Sequence, residues 1–334
     1  MGGARIHRQA FARRQRGVAV LTVLLIVAIG SALAFSLATQ QTMVVAQSRQ
    51  TLVGGELRNL LLGGEVLARQ VLYQDWEEDK EEGVMKDTLL ETWARVAPPF
   101  EIPGGYIEIQ ARDLHSCFNL NSISADSRPD DESIKRIQRL LTRAELDPQL
   151  ADRWRDWVDT DEEVYKFGAE DSEYLAREIA FRTPNQAAAH VSEFRLIADE
   201  MTIEQYAALR EAACVPPDGG AQINVNTVGV GTLEILQENF GPTEAAAVVE
   251  GERDYDDTAA FLSDNSQLRP SQPLFTVTSQ FFEVSIRAEL DGETAEMVSI
   301  LFREPADGSI SVLGRDYSRR FVSRLQVEIE EEDA

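Results

Sequence analysis

Histidine is scarce in this chain, and common signatures of hydrolytic enzymes are missing from it. The 334 residues contain three histidines, His7, His115 and His190, and no Gly-x-Ser-x-Gly segment. Histidine is the side chain used most often for general acid–base catalysis, and that segment presents the serine nucleophile of α/β-hydrolases. These absences argue against an anchored hydrolase, and they predict a protein that is not an enzyme.

Positive charge is also in short supply. The chain has 32 Lys and Arg residues against 57 Asp and Glu residues, which gives a formal net charge of −25 at pH 7. A surface of this sign repels nucleic acid and anionic lipid headgroups, and it suits divalent cations or a basic partner. We therefore expect no nucleic-acid partner.

One long stretch, by contrast, carries no charge. It runs from Val18 to Ala38. As a helix it spans roughly 30 Å, the thickness of a bilayer's hydrocarbon core, whereas the apolar part of a cleaved signal peptide has about 7–15 residues. Only basic charges precede it, so the positive-inside rule predicts a single-pass protein whose N-terminal end stays in the cytoplasm while the remainder of the chain lies across the membrane. The basic residues are Arg5, Arg8, Arg13, Arg14 and Arg16.

The residues in front of this stretch leave three interpretations open: an uncleaved signal anchor, a long signal peptide cut after Ala34, or a pilin-type leader. The third is favoured because Gly17 and its basic neighbours abut the apolar run, and more helix follows. This junction resembles the leader of type IV pilins and pseudopilins, which a prepilin peptidase cuts after the glycine. The resemblance implies a mature chain that begins at Val18 with an N-methylated amino group. Most members have glutamate at mature position five, where this chain has Thr22.

The chain has two cysteines, Cys117 and Cys214, and both follow the apolar run. They therefore belong to an oxidising compartment, where a disulfide is favoured over two buried free thiols.

Hydrophobic periodicity predicts a helix that covers an antiparallel sheet. Apolar residues at three- and four-residue steps continue the N-terminal helix to about Tyr73, and later segments alternate between apolar and polar residues. Asp291-Gly292 is a strong hairpin signal between two of those segments. The expected fold class is α+β, a type IV pilin-like fold. The predicted strands cover Tyr106–Arg112, Phe282–Leu290, Met297–Phe302 and the surroundings of Ile310 and Val312.

Residues 119–271 do not fit a plain pilin, because their pattern is mostly helical. We interpret them as a large all-α domain inserted into the sheet. The predicted helices cover Asp130–Glu145, Pro148–Val158, Asp171–Phe181, Val191–Asp199, Ile203–Ala212, Val230–Asn239 and Pro242–Arg253.

A small motif occurs twice in this region, as Phe118–Ser122 and as Ile223–Thr227. Asn alternates with apolar residues in both copies, which suits a turn whose side chains bind backbone and cap the next helix. The second copy resembles a helix-hairpin-helix module, the alternative being a membrane-anchored receptor for DNA. Arg253 is the single basic residue from Ala221 to Leu262, so the charge disfavours phosphate binding and favours a structural unit.

Acidic residues concentrate between Asp156 and Glu173. Ca²⁺ takes six to eight oxygen ligands, and an Asp-x-Asp turn followed by a second acidic pair can supply several of them. The spacing is not that of an EF-hand. A solvated acidic loop, with Glu170 and Asp171 favouring the start of a helix, is the alternative.

The leader comes first, followed by the apolar helix without glutamate at mature position five, the two Asn motifs and the acidic motif. With these features in this order, the chain resembles the K-type minor pseudopilins of bacterial type II secretion. The resemblance covers Arg13 to about Tyr317. It implies bound calcium and a place at the tip of a short periplasmic pseudopilus that supports export of folded proteins across the outer membrane. The implied partners are the I- and J-type minor pseudopilins, then the major pseudopilin. The positions that would bind calcium are Asp159, Asp161, Glu170 and Asp171.

The resemblance gives the chain an expected division. It comprises a cleaved leader (1–17), a transmembrane and spine helix (18–73), a first β region (74–118), the inserted α-domain (119–271), a second β region (272–318) and an acidic tail (319–334) that we expect to be disordered.

Thr22 can be interpreted as a signature of the tip. In a pilin-like fibre the glutamate at mature position five lies in apolar surroundings, where its charge is costly unless it meets the N-terminal amine of the subunit above. A subunit with nothing above it has no such amine to meet. We therefore expect a subunit at the tip to do without the carboxylate.

Overall fold

The computed structural model describes residues 12–95, 97–123 and 131–322. The predicted leader before Ala12 and the predicted disorder of the tail beyond Val322 fall outside the described residues. The chain forms two compact units, residues 1–59 and 60–334.

In the first unit, the described residues form one continuous helix, which is the beginning of α1 (Ala12–Glu82). Its large apolar side chains, such as Leu21, Ile26 and Phe35, are exposed. By length and composition this helix can cross a membrane, in agreement with the predicted anchor.

In the second unit, residues 60–82 of α1 pack on a five-stranded antiparallel sheet. The strand order is β1-β2-β7-β8-β9. Leu61 and Leu72 of α1 are buried, as are Val284, Ile286 and Met297 of the sheet. This arrangement confirms the predicted pilin-like fold class. The strands are β1 (Phe100–Ile102), β2 (Gly105–Asp113), β7 (Phe281–Leu290), β8 (Glu293–Arg303) and β9 (Ile310–Asp316).

Glycines at two places allow α1 to pack on this sheet and allow its hairpin to turn. A Cβ at Gly64 would lie 3.0 Å from Ile286 and 3.3 Å from Ile109, so the absent side chain lets α1 approach the sheet closely. Asp291 and Gly292 both have positive φ, 52° and 81°, as the predicted two-residue hairpin requires.

All helices of the insertion lie between β2 and β7. Every described helix after α1 is short. They are α2 (Asp131–Arg143), α3 (Leu150–Val158), α4 (Asp171–Tyr174), α5 (Phe194–Ile197), α6 (Ile203–Ala212), α7 (Val230–Glu234), α8 (Pro242–Val249) and α9 (Thr258–Asp264), with 3-10 turns at Leu120–Ile123, Val191–Glu193 and Ser266–Leu274.

Two short parallel strand pairs divide the insertion into two modules. In the first module (118–214), β3 (Phe118–Asn119) pairs with β4 (Ala213–Cys214). In the second module (223–276), β5 (Ile223–Asn224) pairs with β6 (Phe275–Thr276). Each module has its own hydrophobic core, and the first core takes only Ile235 from the second module.

The Asn motifs open the two modules and make the same contacts. In each copy the side-chain oxygen of the first Asn accepts the backbone N–H of the second, at 2.8 and 3.0 Å. Asn121 then bonds both the N–H and the C=O of Ala188, and Asn226 bonds those of Tyr255. These are the side-chain-to-backbone bonds that the sequence predicts.

The predicted disulfide between Cys117 and Cys214 is confirmed, with their Cα atoms 5.7 Å apart. It lies beside the β3–β4 pair and joins the two ends of the first module. Closing a loop of this length stabilises the fold by roughly 4–5 kcal/mol if the effect is entropic.

A buried ion-pair network ties α1 to the sheet and to the loop after α1. The guanidinium of Arg303, at the end of β8, binds both oxygens of Asp87 and donates to Asp75 at 3.0 Å. It also donates to the carbonyl of Ser279 at 3.0 Å. The hydroxyl of Ser279 in turn donates to Asp113, 2.7 Å away at the end of β2. One guanidinium therefore connects four segments of the second unit.

Several predicted boundaries are wrong. The spine helix continues to Glu82 rather than Tyr73, so Trp76 belongs to α1, where it packs under Gly308. The helix expected over Asp171–Phe181 ends at Tyr174. The Tyr174 and Phe181 rings stack with their centroids 5.2 Å apart. On a continuous helix, the backbones of residues seven apart are displaced by roughly 10 Å along the axis. Aromatic packing in the core therefore bends the chain out of the helix.

Replacing Arg303 by alanine should lower the free energy of unfolding by about 3–5 kcal/mol, because it leaves the Asp87 carboxylate buried without its counter-charge. Urea denaturation of the full chain in detergent measures this change. Lys135→Ala is the control, since its pair with Glu132 is 3.7 Å long and exposed; we expect a loss below about 1 kcal/mol there. Similar losses in the two variants would contradict the central role of Arg303.

Candidate functional site

The acidic loop (156–171) begins on α3, which is held by its aromatic residues. Trp154 and Trp157 are buried, Trp154 stacks on Phe194, and Trp157 meets the ring of Tyr174 edge-on. These contacts fix the C-terminal end of α3, from which the loop departs. The two tryptophans thus hold the acidic loop on a rigid base.

Asp156 anchors the return of this loop. Its side chain is fully buried, and its oxygens accept the backbone N–H of Tyr165 at 3.1 and 3.3 Å. A Cβ at Gly168 would lie 1.9 Å from the Asp156 carboxylate, so this position needs glycine. The Gly168-Ala-Glu-Asp segment is therefore packed directly over Asp156.

Three side-chain oxygens around this loop are buried and have no hydrogen-bond donor. They are Oδ1 of Asp159, Oε1 of Glu170 and Oδ1 of Asn185. Asn185 is tied to the loop because its Nδ2 donates to the carbonyl of Asp161 at 2.8 Å. Buried acceptors normally find a donor, so three without one in the same region call for an explanation. A bound cation supplies one, because oxygen atoms of this kind are what Ca²⁺ prefers.

The other two predicted ligands, Asp161 and Asp171, are engaged in contacts within the protein. Asp161 is exposed, and its Oδ1 accepts the N–H of Glu163 at 2.8 Å, which closes a turn. Asp171 pairs with Arg182 at 2.6 Å and accepts both the N–H and the hydroxyl of Thr183 at 3.0 Å. It thus holds the segment that carries Asn185.

The electrostatics of the loop are those of crowded, desolvated carboxylates. Burial raises the pKa of Asp156 to about 7, and the charges of Asp159 and Glu170 add to the effect. Burial likewise raises the pKa of Glu170 to about 7, with Asp159, Asp161 and Asp171 contributing. The pKa of Asp159 rises to about 6 through burial and the charge of Asp161. A divalent cation would relieve both the repulsion and the desolvation cost.

A second acidic group lies elsewhere. Among the described residues, the set of acidic ligand atoms that all lie within 4.8 Å of one another belongs to Asp75, Asp87 and Glu91, not to the acidic loop. Arg303 already occupies this place. Burial, with the charges of Glu91 and Asp87, raises the pKa of Asp75 to about 9, so Asp75 keeps its proton near neutral pH. Arg303 and that proton offset two of the three negative charges of this group.

Sequence reasoning missed two contributors to the loop. Asp156 lies inside the acidic motif, but only the structure shows its burial and its bonds to Tyr165. Asn185 lies well beyond the motif and has a positive φ of 45°. The Thr183-Pro184-Asn185 turn is its only signal in the sequence, and such turns are common in loops without any ligand.

The polar groups of the second Asn motif are engaged internally. Asn224, Asn226 and Thr227 are buried, and Thr227 donates to Asp113 at 2.5 Å. The motif thus connects the second module to the sheet, which is the structural role that the sequence favours over phosphate binding.

The residues that the sequence predicts to concern processing and assembly lie on α1. The backbone of Gly17 and Val18 is part of α1. Thr22 is exposed, and its hydroxyl donates to the carbonyl of Ala19 at 2.9 Å within the same helix. The polar group of Thr22 therefore needs no partner from another chain.

Comparison with known proteins gives a consistent result. Residues 116–218 match the family model for type II secretion system (T2SS) protein K. The chain is 32% identical to type II secretion system protein K of Pseudomonas aeruginosa, over 91% of this chain and 93% of that protein. It is 30% identical to the protein of the same name from Klebsiella pneumoniae, over 87% of this chain and 93% of that protein.

A solved structure is also similar. It is the GspK-GspI-GspJ complex of the type 2 secretion system from enterotoxigenic Escherichia coli, with a TM-score of 0.69 at 26% identity. The alignment covers 81% of this chain and 100% of the matched chain.

In a chelator, the protein should become more stable as the pH falls from 7.5 to 5.5. The folded pKa of Asp156 lies well above its ordinary value, so the folded state binds more protons, and stability is lost as the pH rises through about 7. Melting temperatures at the two pH values, with EGTA present, test this sign. The rise should be smaller in Asp156→Asn than in the exposed control Glu163→Gln; equal rises in both variants would contradict it.

Proposed function

Because this chain belongs to the type II secretion system protein K family, we propose that it is a non-catalytic minor pseudopilin at the tip of the secretion pseudopilus. In this role it initiates or caps the filament, and so supports the export of folded proteins from the periplasm across the outer membrane. The observation that carries the proposal is the similarity to one chain of the GspK-GspI-GspJ complex. The alignment covers the full length of that one chain. The partners proposed on that basis are I- and J-type minor pseudopilins, followed by the major pseudopilin.

The sequence in front of the membrane helix supports a processing step. We propose that a prepilin peptidase cuts between Gly17 and Val18, and that the new amino group of Val18 is methylated. Basic residues precede the apolar run and acidic residues do not, which supports a cytoplasmic N-terminus and a periplasmic second unit. The mature protein then keeps one helix in the inner membrane.

Thr22 supports the position at the tip. Its hydroxyl is already bonded to Ala19, so the helix can lie in an apolar environment without a neighbouring amine. Glutamate at this place would bring a charge that is costly in the membrane unless it is paired. A subunit at the tip has no other subunit above it, and so no amine to pair with the charge. Such a subunit is therefore the one best suited to a residue without charge.

An apolar groove in the second unit supports a role in protein assembly. It has a volume of about 220 Å³ and lies between α1, residues 92–95 and 97–98, and strands β1 and β2. Leu67 and Phe100 line it and are 51% and 65% exposed. Exposed apolar surface of this kind is characteristic of faces that other proteins cover.

We propose that calcium binds at the acidic loop. The residues present fit this ion: Asp159, Glu170 and Asn185 each contribute a buried oxygen without a donor, and burial together with neighbouring carboxylates raises the pKa values of Asp159 and Glu170. Asp161 and Asp171 would contribute through the loop and the 182–185 segment that they hold in place. The ion would supply the counter-charge that fixes the loop on α3, with no catalytic step.

Replacing Asp159 by asparagine and Glu170 by glutamine should abolish stabilisation by calcium. The parent should melt several degrees higher in millimolar Ca²⁺ than in EGTA, because an ion that binds only the folded state stabilises it by mass action. The double variant should melt at the same temperature in both buffers, and Glu163→Gln should behave like the parent. Identical melting of the parent in calcium and chelator would remove the proposal.

Co-expression with the I- and J-type minor pseudopilins of the same genome tests the assembly role. The full chain should co-purify with both in detergent, and mass spectrometry should find a mature N-terminus at Val18.

Replacing Thr22 by glutamate should leave cleavage intact and give no more than a small gain in pseudopilus formation. Strongly enhanced assembly would contradict the tip position, and a chain that still begins at Met1 would contradict processing.

A further inference from the structure

An arginine-lined groove crosses the face of the sheet opposite to α1. Ile109 and Ile286 pair across β2 and β7 and face Gly64 of α1, so their sequence neighbours point to the other side. On that side the paired residues Arg112 and Glu283 form part of the floor. The groove has a volume of about 350 Å³. It is lined by Gln110, Ala111, Arg112, Arg210, Glu283, Ser285, Arg320 and Val322.

Positive charge in this groove is not neutralised by the described residues. The one acidic residue in the lining, Glu283, is already paired with Arg319 at 2.5 Å. Arg210 and Arg320 are exposed and have no acidic partner within the described part of the chain. Arg112 makes only long contacts, 3.4 and 3.5 Å, to the carbonyls of Arg210 and Glu211. A chain of net charge −25 thus keeps Arg210 and Arg320 without an acidic partner, beside Arg112, which shares Glu283 with Arg319.

A neighbouring side chain responds to this positive charge. His190 lines the adjoining cavity together with Arg112, Arg210 and Arg319. Burial lowers the pKa of His190 to about 4, and the charges of Arg319 and Arg210 lower it further, against smaller opposite effects of Glu283 and Asp316. The imidazole therefore stays neutral, and the groove calls for an anion from outside the described residues.

The sequence supplies such an anion at a short distance along the chain. The described chain ends at Val322, which lines the groove. Acidic residues follow at positions 328 and 330–333, against one basic residue, Arg324. An extended chain covers at most about 3.3–3.6 Å per residue, so Glu328 lies within roughly 20 Å of Val322 and Asp333 within roughly 40 Å. A tethered segment reaches an effective concentration on the order of millimolar, which favours it over separate anionic chains.

We propose that the acidic run Glu328–Asp333 of the same chain binds in this groove and pairs with Arg112, Arg210 and Arg320. Charge rather than apolar packing holds the segment, so the binding is reversible and weakens as salt is added. The tail thereby covers a basic groove of an acidic subunit.

A labelled peptide of residues 323–334 tests the proposal. It should bind the full chain shortened after Val322, in detergent, and its affinity should fall at least tenfold between low and high salt. The unshortened chain should bind the peptide at least tenfold more weakly, because its own tail occupies the groove. A peptide in which Glu is replaced by Gln and Asp by Asn should not bind.

Charge-reversal variants locate the site. Arg210→Glu with Arg320→Glu should remove peptide binding by the shortened chain, whereas Lys135→Glu with Arg269→Glu changes the net charge equally and should leave it intact. Retained binding in the groove variant, or equal binding by the full and shortened chains, would overturn the proposal. The proposal would also be overturned if the shortened chain did not bind the peptide but needed these arginines to bind the I- or J-type subunit, because the groove would then bind a partner instead of the tail.

Discussion

The buried guanidinium of Arg303 is the contact on which the second unit depends. It reaches Asp75 on α1, Asp87 on the loop that follows, and the carbonyl of Ser279 just before β7. The insertion joins the same network through Asp113, which accepts hydrogen bonds from Ser279 and Thr227. Isolated buried charges are unfavourable, so these groups are stable only when all the segments are in place. The helix, the sheet and the second module are therefore coupled by one set of mutually dependent polar contacts.

The insertion looks complicated but repeats one plan. Each module begins with an Asn motif, closes with a two-residue parallel strand pair, and encloses a hydrophobic core. The first module differs in carrying the acidic loop and the disulfide. With the same frame, the second module connects to the sheet through Asn224, whereas the first module carries the acidic loop.

The parts of the fold that follow from local sequence were predictable. The apolar helix, the alternating strands and the Asp291-Gly292 hairpin each have a strong local signal, and the disulfide was predicted from the compartment of the two cysteines. Helix ends in the insertion were not predictable, because contacts between distant aromatic residues such as Tyr174 and Phe181 set them. Of the acidic loop, sequence identified the region but not which oxygens lack donors. That property depends on Thr183 and Asn185, which donate hydrogen bonds to groups 13 and 24 residues away along the chain, Glu170 and Asp161.

The covalent closure of the first module also has a mechanical consequence. Its ends meet at the sulfur–sulfur bond of Cys117 and Cys214, with the Cα atoms 5.7 Å apart. A tensile load arriving along the backbone at Cys117 is therefore transmitted across that bond to Cys214, and the intervening loop with its acidic site carries none of it. The long strands β2 and β7, hydrogen-bonded side by side, form the stiff part of the load path. Tension applied to the two flanking strands is therefore borne by the sheet and the disulfide while this module stays relaxed.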